Sequence, residues 1–168
     1  MLHMNIRQAC ASDITELCFI LNEIIAIGGT TAYMAKLSES DFTSHFIGGS
    51  NCISCLIAER GETILGFQSL SYHPKLADGW VDIATFARVE PKTPGVGSGL
   101  FSKTVNLARQ KKFEYINATI RADNNQGLSF YTKMGFEDYS ISRDVPLSNG
   151  TSVDRISKRY LIAETHAG

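Results

Sequence analysis

Three strand-like runs follow one another with no room for a helix between them: Cys52–Arg60, residues 63–73 and residues 80–89. Each is rich in apolar residues and bounded by turn residues, the pattern of strands with at least one buried face. The Gly61-Glu62 link between the first two is so short that it forces an antiparallel hairpin. The segment Pro74-Lys75-Leu76-Ala77-Asp78-Gly79 leads to the third. An antiparallel meander of this size has to be covered by further elements, because its apolar face cannot stay in water.

The flanking sequence supplies the cover. Residues 4–9 alternate and read as a first strand. Ser12 or Asp13 can cap a helix, and Glu16, three residues after Asp13, completes a capping-box pattern. Ile14, Leu17, Cys18, Leu21, Ile24 and Ile25 form its apolar stripe, and Gly28-Gly29 ends it. Residues 30–37 read as a loop, and Ser38 or Ser40 caps a second helix running toward Phe46. After the meander come a helix over 99–111, a strand over 115–121 and a helix over 124–134 with Gly135 at its C′ position. Two last strands, 137–145 and 152–162, flank Ser148-Asn149-Gly150. The order βααβββαβαββ predicts an α/β (α+β) fold: a mixed, mostly antiparallel sheet flanked by helices. At 168 residues without linker or repeat, it reads as one domain over 1–168 with a core over about 4–163.

Sixteen Lys and Arg stand against seventeen Asp and Glu, which gives no electrostatic reason to expect nucleic acid or an anionic membrane as partner. No run of about 18 apolar residues occurs, and the start Met1-Leu2-His3-Met4 lacks the regions of a signal peptide. The expected location is the cytoplasm. Cys52 and Cys55 have CxxC spacing, but a zinc site wants four ligands and no second pair exists. They read as thiols of a strand, and no metal is expected.

Two segments carry the chemistry. Gly95, Gly97 and Gly99 alternate after the third meander strand, just before a helix. Backbone N–H groups at such a place bind phosphate oxygens, with Ser98 and Lys92 close by. The spacing is neither that of a Walker loop nor that of a Rossmann fingerprint. A plain glycine-rich connection fits it too. In the second segment, Asn124, Gly127, Leu128 and Tyr131 share one helix face. A tyrosine hydroxyl stays protonated at neutral pH and serves as a general acid toward a thiolate; an ordinary core tyrosine has the same spacing.

Taken together, Lys92-Thr93-Pro94-Gly95-Val96-Gly97 and Asn124 through Phe136 resemble the two motifs of the GNAT superfamily of N-acetyltransferases. Those motifs are Gln/Arg-x-x-Gly-x-Gly/Ala and Asn-x-x-Ala-x-x-(apolar)-Tyr-x-Lys-x-Gly-Phe, here with Gly127 at the Ala position. The strand order fits as well, so the resemblance covers nearly the whole chain. Ile83-Ala84-Thr85-Phe86, Asn22-Glu23-Ile24-Ile25 and Asp154-Arg155 look most like the phosphinothricin acetyltransferase branch.

The resemblance implies acetyl-CoA as acetyl donor and the primary amine of a small molecule or amino acid as acceptor, attacking directly. Backbone groups at Phe86, Ala87 and Arg88 would pair with the pantetheine arm as an added strand does, and an N–H near Phe86 would polarise the thioester carbonyl. The N–H groups of Gly95, Val96, Gly97, Ser98 and Gly99 would hold the pyrophosphate, with Lys92 beside them. Asn124 would touch the pantetheine arm, and Tyr131 would protonate the leaving thiolate. Glu23, Asp82 and Glu90 are candidate bases, each also readable as a solvated charge. The loop 27–34, the segment 72–80 and the last hairpin would form the acceptor pocket, with Tyr33, Tyr72, His73 and Trp80 as walls. A homodimer is the family's common state. One departure is Lys92-Thr93-Pro94, which lacks the planar fork of arginine and one N–H. It leaves a non-catalytic acyl-CoA-binding regulatory protein as the alternative, and a nucleotide-binding module as a remoter one.

Overall fold

A computed structural model describes residues 3–162. The start Met1-Leu2 and Ala163, the expected end of the core, lie outside the described residues. The elements in chain order are β1 (Met4–Gln8), a 3₁₀ turn (Ala11–Asp13), α1 (Ile14–Ile27), α2 (Glu39–Phe46), β2 (Cys52–Arg60), β3 (Thr63–Ser71) and β4 (Trp80–Ala87). They continue with α3 (Val96–Gln110), β5 (Tyr115–Arg121), α4 (Asn125–Lys133), β6 (Glu137–Pro146) and β7 (Ser152–Leu161). Apart from the 3₁₀ turn, this is the expected order.

One seven-stranded sheet runs β1-β2-β3-β4-β5-β7-β6. Every neighbouring pair is antiparallel except β4 and β5. That parallel ladder holds only Trp80↔Tyr115, Val81↔Ile116 and Asp82↔Asn117. Beyond Asp82 and Asn117 the two strands pair no further, so the sheet parts into a gap in its middle.

Helices α1 and α2 cover the front of β2, β3 and β4. Leu17, Ile20 and Leu21 of α1 and Phe42 and Phe46 of α2 pack on Phe67 and Phe86. Each fully buried side chain of this kind stabilises the fold by about 1.5–3 kcal/mol. Helices α3 and α4 cover the back, where Phe101, Val105 and Tyr131 join Val81, Ile83, Ile116 and Ile120 in one cluster that spans β4 and β5. The front of β5, β7 and β6 contributes to none of the core clusters formed by the described residues.

Several boundaries differ from expectation for local reasons. Asp13 is the N-cap residue of α1, as expected, but a 3₁₀ turn precedes the helix and the Asp13 side chain makes no capping bond to α1. The Asp13 carboxylate accepts from the Cys10 N–H at 2.8 Å and grips Arg7 with both oxygens. Glu16 points elsewhere and pairs with Arg88. Ser38 caps α2, its Oγ accepting from the Asp41 N–H at 3.0 Å. Strand β4 stops at Ala87 and not at Val89, where the chain bends toward Glu90-Pro91. Helix α3 begins at Val96 and not at Gly99, so Gly95 is its N-cap and Gly97 and Gly99 lie in its first residues.

Cys55 is buried in β2, and burial pushes its thiol up to about 12. Cys52 donates to the His45 carbonyl at 3.4 Å. Both thiols are free. No helix among the described residues is long and apolar enough to cross a membrane.

Candidate active site

The gap between β4 and β5 is the organising feature of the site. Just past β4 the backbone of Arg88 faces β3, since its N–H donates to the Leu65 carbonyl at 2.8 Å. Phe86 pairs with Phe67 in the same antiparallel register and faces the same way. Backbone direction alternates along a strand, so the unpaired groups toward the gap are the Ile83 carbonyl and the groups of Thr85 and Ala87, the Ile83 N–H closing the last rung of the ladder. This corrects the expectation for Phe86 and Arg88. Phe86 serves the front core instead. The Arg88 side chain donates to the Ile64 carbonyl at 2.7 Å and lines a cavity of about 440 Å³ with Asp13, Glu16 and Glu62, apart from the other expected site residues.

The N-terminus of α3 follows the loop after β4, with Val96 close to Gly66 of β3 and Gly97 close to the Phe130 ring, next to Tyr131 on α4. Gly95 is the N-cap of α3, at φ +84, and a Cβ there would meet nothing. The Gly99 N–H is already given to the Gly95 carbonyl at 3.0 Å. The first-turn donors left over are those of Gly95, Val96, Gly97 and Ser98. Gly97 and Gly99 answer to packing: added Cβ atoms would stand 2.6 Å from the Phe130 ring and 2.5 Å from Met4. The expected anion cradle is therefore shorter by one N–H, and its only conformationally required glycine is Gly95. The Ser98 hydroxyl donates back to the Gly95 carbonyl at 3.3 Å. Lys92 is exposed and makes no ion pair among the described residues.

Asn124 caps α4. Its Oδ1 accepts from the Gly127 N–H at 3.0 Å and its Nδ2 donates to the Thr30 carbonyl at 3.3 Å. The side chain expected to meet the pantetheine arm is thus engaged at both ends, holding the loop after α1 against α4. Tyr131 sits on the back wall of the gap. Its hydroxyl is 2.9 Å from Thr85 Oγ1, on the residue three beyond the last rung of the parallel ladder. Thr104 Oγ1 donates to Gln68 Oε1 at 2.6 Å, and Gln68 Nε2 donates to Thr85 Oγ1 at 2.9 Å. Thr85 Oγ1 thus accepts from Gln68 and is also within hydrogen-bond distance of the Tyr131 hydroxyl, a pair in which either oxygen can donate. Burial raises the Tyr131 pKa, the Thr85 hydrogen bond lowers it and the field of Asp82 raises it again. The phenol stays protonated at neutral pH.

Asp82 lies on the opposite, front side of β4. Its Oδ1 accepts from Asn117 Nδ2 at 2.8 Å across the last rung of the ladder. Burial raises its pKa; Asn117 and the charge of His73 pull it back down. Tyr139 donates to Asn117 Oδ1. Glu23, half-buried on α1, and Glu90, exposed in the loop after β4, make no hydrogen bond among the described residues and are not joined to this network. The aromatic walls also differ. Tyr33 packs on His45 and Phe46, and Tyr72 on Phe113. Trp80, two residues before Asp82 on the same face of β4, is stacked on Tyr115 at 4.5 Å and lies near Tyr139, and His73 is close enough for its charge to act on Asp82.

Sequence reasoning missed Gln68, Thr85, Thr104, Asn117 and Tyr139. A single amide inside an otherwise apolar strand, Gln68 in β3 and Asn117 in β5, was the available signal. Both are buried, at 0% and 3% exposed, and a buried amide requires partners.

The fold of this chain is shared with solved acetyltransferase structures. A Salmonella typhimurium structure solved with its cofactor acetyl-CoA has TM-score 0.82 at 18% identity, over 98% of this chain and 96% of that one. A phosphinothricin acetyltransferase from Sinorhizobium meliloti in complex with acetyl-CoA has TM-score 0.82 at 19% identity, over 98% and 91%. A ribosomal-protein-alanine N-acetyltransferase from Brucella melitensis gives 0.82 at 18% identity, over 94% and 99%. The fold is that of the acetyltransferases, and it is shared by structures named for quite different acceptors. No curated protein matches the sequence. The family model of the acetyltransferase (GNAT) domain matches residues 6–157, and the chain belongs to that acetyl-CoA-dependent family.

Proposed function

We propose that this protein transfers acetyl from acetyl-CoA to the primary amine of a small molecule, by direct attack. The observation that carries the reading is the pairing of Tyr131 with Thr85 on the back of the gap while Asp82 stands on its front. A proton donor and a proton acceptor on opposite faces of one strand suit a reaction in which the amine enters on one side and the leaving group departs on the other.

The residues present fit acetyl-CoA. The open backbone edge at Ile83, Thr85 and Ala87 has the hydrogen-bonding character to take an extended arm as an added strand. The free N–H groups of Gly95, Val96, Gly97 and Ser98 suit a pyrophosphate, and Lys92 adds a positive charge. When bound, acetyl-CoA supplies an activated acetyl group with a thiolate leaving group. Tyr131 holds a proton on its hydroxyl, kept there by burial. Thr85, Gln68 and Thr104 orient that hydroxyl. Asp82, whose basicity burial raises, takes the proton that an incoming ammonium must lose; Asn117 and Tyr139 hold its carboxylate in place.

The test is Tyr131→Phe, measured with a panel of primary amines. Turnover is expected to fall about 10²–10⁴-fold, the usual contribution of a positioned acid. Acetyl-CoA affinity, read by thermal shift, is expected to stay within about twofold. An unchanged rate refutes the acid role. Acetyl-CoA binding without turnover by the unsubstituted protein on any amine supports the non-catalytic alternative.

A further inference from the structure

We propose that Phe130 is a positioning residue that ties the ring of Tyr131 to the first turn of α3. An anion held on that turn then sets the acid in place. The inference rests on the acetyl-transfer reading only in calling Tyr131 the acid and the anion the pyrophosphate of the donor; the coupling itself is argued from packing.

The Tyr131 ring is held from two sides. Phe136 meets it edge-on at 5.1 Å and is itself backed by Phe101 at 5.4 Å and Tyr160 at 5.5 Å, deep in the back core. Phe130 meets it at 4.9 Å with the ring planes 66° apart. What backs Phe130 is the main chain of α3. A Cβ on Gly97 would stand 2.6 Å from Phe130 Cε2 and 2.9 Å from Cζ. Gly97 therefore lies against the ring at an approach that a residue with a side chain could not make. The same residue is the second of α3, and its N–H is one of the first-turn donors left over for an anion. One glycine thus faces the anion with its N–H and the Phe130 ring with its Cα.

Close-packed groups transmit displacement rather than absorb it. An edge-to-face pair also has a preferred mutual orientation, which an aliphatic side chain in the same space does not impose. An anion that draws the first turn of α3 toward itself therefore moves the surface on which Phe130 rests, and Phe130 carries that movement to Tyr131. On the opposite side the Tyr131 hydroxyl meets Thr85 Oγ1 at 2.9 Å, so a small turn of the ring changes where its proton points. The pyrophosphate of the donor, remote from the reacting carbon, then contributes to kcat as well as to affinity, a use of binding energy from parts that do not react.

The experiment has two readouts on the whole protein. In the first, inorganic pyrophosphate is added and the ring resonances of Tyr131, assigned by their loss in Tyr131→Phe, are followed by NMR, with the Gly97 amide reporting binding. The Tyr131 ring is expected to shift together with the Gly97 amide. In Phe130→Leu and Phe130→Met the amide is expected to respond and the ring to stay where it is. In the second, kcat is measured at saturation with acetyl-CoA and with acetylpantetheine, which lacks the pyrophosphate. The parent is expected to lose about 10–10²-fold in kcat with the truncated donor, the scale on which a misplacement of about 1 Å acts. Both Phe130 variants are expected to lose that difference, and Phe130→Leu to add nothing in a Tyr131→Phe background. A Tyr131 ring that pyrophosphate leaves unmoved overturns the proposal. So does an equal shift in the Phe130 variants, or a loss of kcat in them that is the same for both donors, which would make Phe130 a packing residue. A shift that Phe130→Leu removes, with an unchanged rate in Tyr131→Phe, keeps the coupling and refutes the acid role; a rate lost in Tyr131→Phe without any shift on adding pyrophosphate does the reverse.

Discussion

Replacing Thr85 by Val tests the buried chain behind Tyr131 most directly. Valine has the shape of threonine and none of its hydrogen bonding. The substitution strands Gln68 Nε2, which has Thr85 Oγ1 as its acceptor at 2.9 Å and belongs to a residue 0% exposed. It also removes the partner of the Tyr131 hydroxyl at 2.9 Å. An unsatisfied buried donor costs about 1–3 kcal/mol, and the second lost bond about 0.5–1.5 kcal/mol. Together these predict a loss of about 2–4 kcal/mol. For a domain of this length that is a Tm lowered by roughly 4–16 °C. The kinetic expectation is separate. Without Thr85 the Tyr131 phenol loses its orienting partner, so kcat falls while the KM for acetyl-CoA stays. Thr85→Ser, which keeps the hydroxyl, is expected to recover most of both. Differential scanning calorimetry and steady-state kinetics on the three proteins decide it. A Tm within about 1 °C of the parent, or a serine variant as impaired as valine, would refute the account of the network.

Gly97→Ala is expected to cost about 1–3 kcal/mol in urea unfolding, since its Cβ would stand 2.6 Å from the Phe130 ring and overpacked cores lose that much. Gly95→Ala, with open space around it but φ +84, is expected to cost about 1–2 kcal/mol through backbone strain alone. In Asp13 the Arg7 guanidinium holds the carboxyl well below the usual range, so its stabilisation is present at neutral pH and lost as pH falls from about 4 toward the lowered value. Asp13→Asn is therefore expected to be markedly less stable than the parent at pH 7 and nearly equal to it in strong acid; a gap independent of pH would contradict the pairing. Asp82 has the opposite sign: burial raises its pKa, so the folded protein loses stability as pH rises through that value. Asp82→Asn is expected to be no less stable than the parent at pH 7, to lose about 10²–10⁴-fold in kcat/KM, and to lose the acid limb of the pH–rate profile.

The strands were legible because their signals are local. Cys52–Arg60 and Tyr115–Arg121 are where alternation and flanking turns put them. Ser38 and Asn124 announced their helices as cap residues do. The start of α3 was not legible, because glycine in sequence marks a turn, whereas Gly97 and Gly99 lie in a helix whose neighbours, Phe130 and Met4, claim the space of a Cβ. The direction of the β4 backbone was off by one residue for a similar reason: the hydrogen bond from Arg88 to Leu65 that fixes it joins distant parts of the chain. The sequence singled out Tyr131 and Asp82 as candidates but not the side chains they meet. Thr85 meets Tyr131 across 46 residues and Gln68 meets Thr104 across 36, distances over which no pattern in the sequence runs.

Three residue pairs join β4 to β5, and that small number has a mechanical consequence. The sheet is two slabs, one of four strands and one of three, pinned at Trp80–Asp82 and glued from behind by the cluster around Ile83 and Ile116. Whatever lies along the open edge at Thr85 and Ala87 acts as a splint across them. Occupancy of the gap and cohesion of the sheet then become a single quantity. Slow exchange of those two amides, measured against ligand concentration, would read both at once.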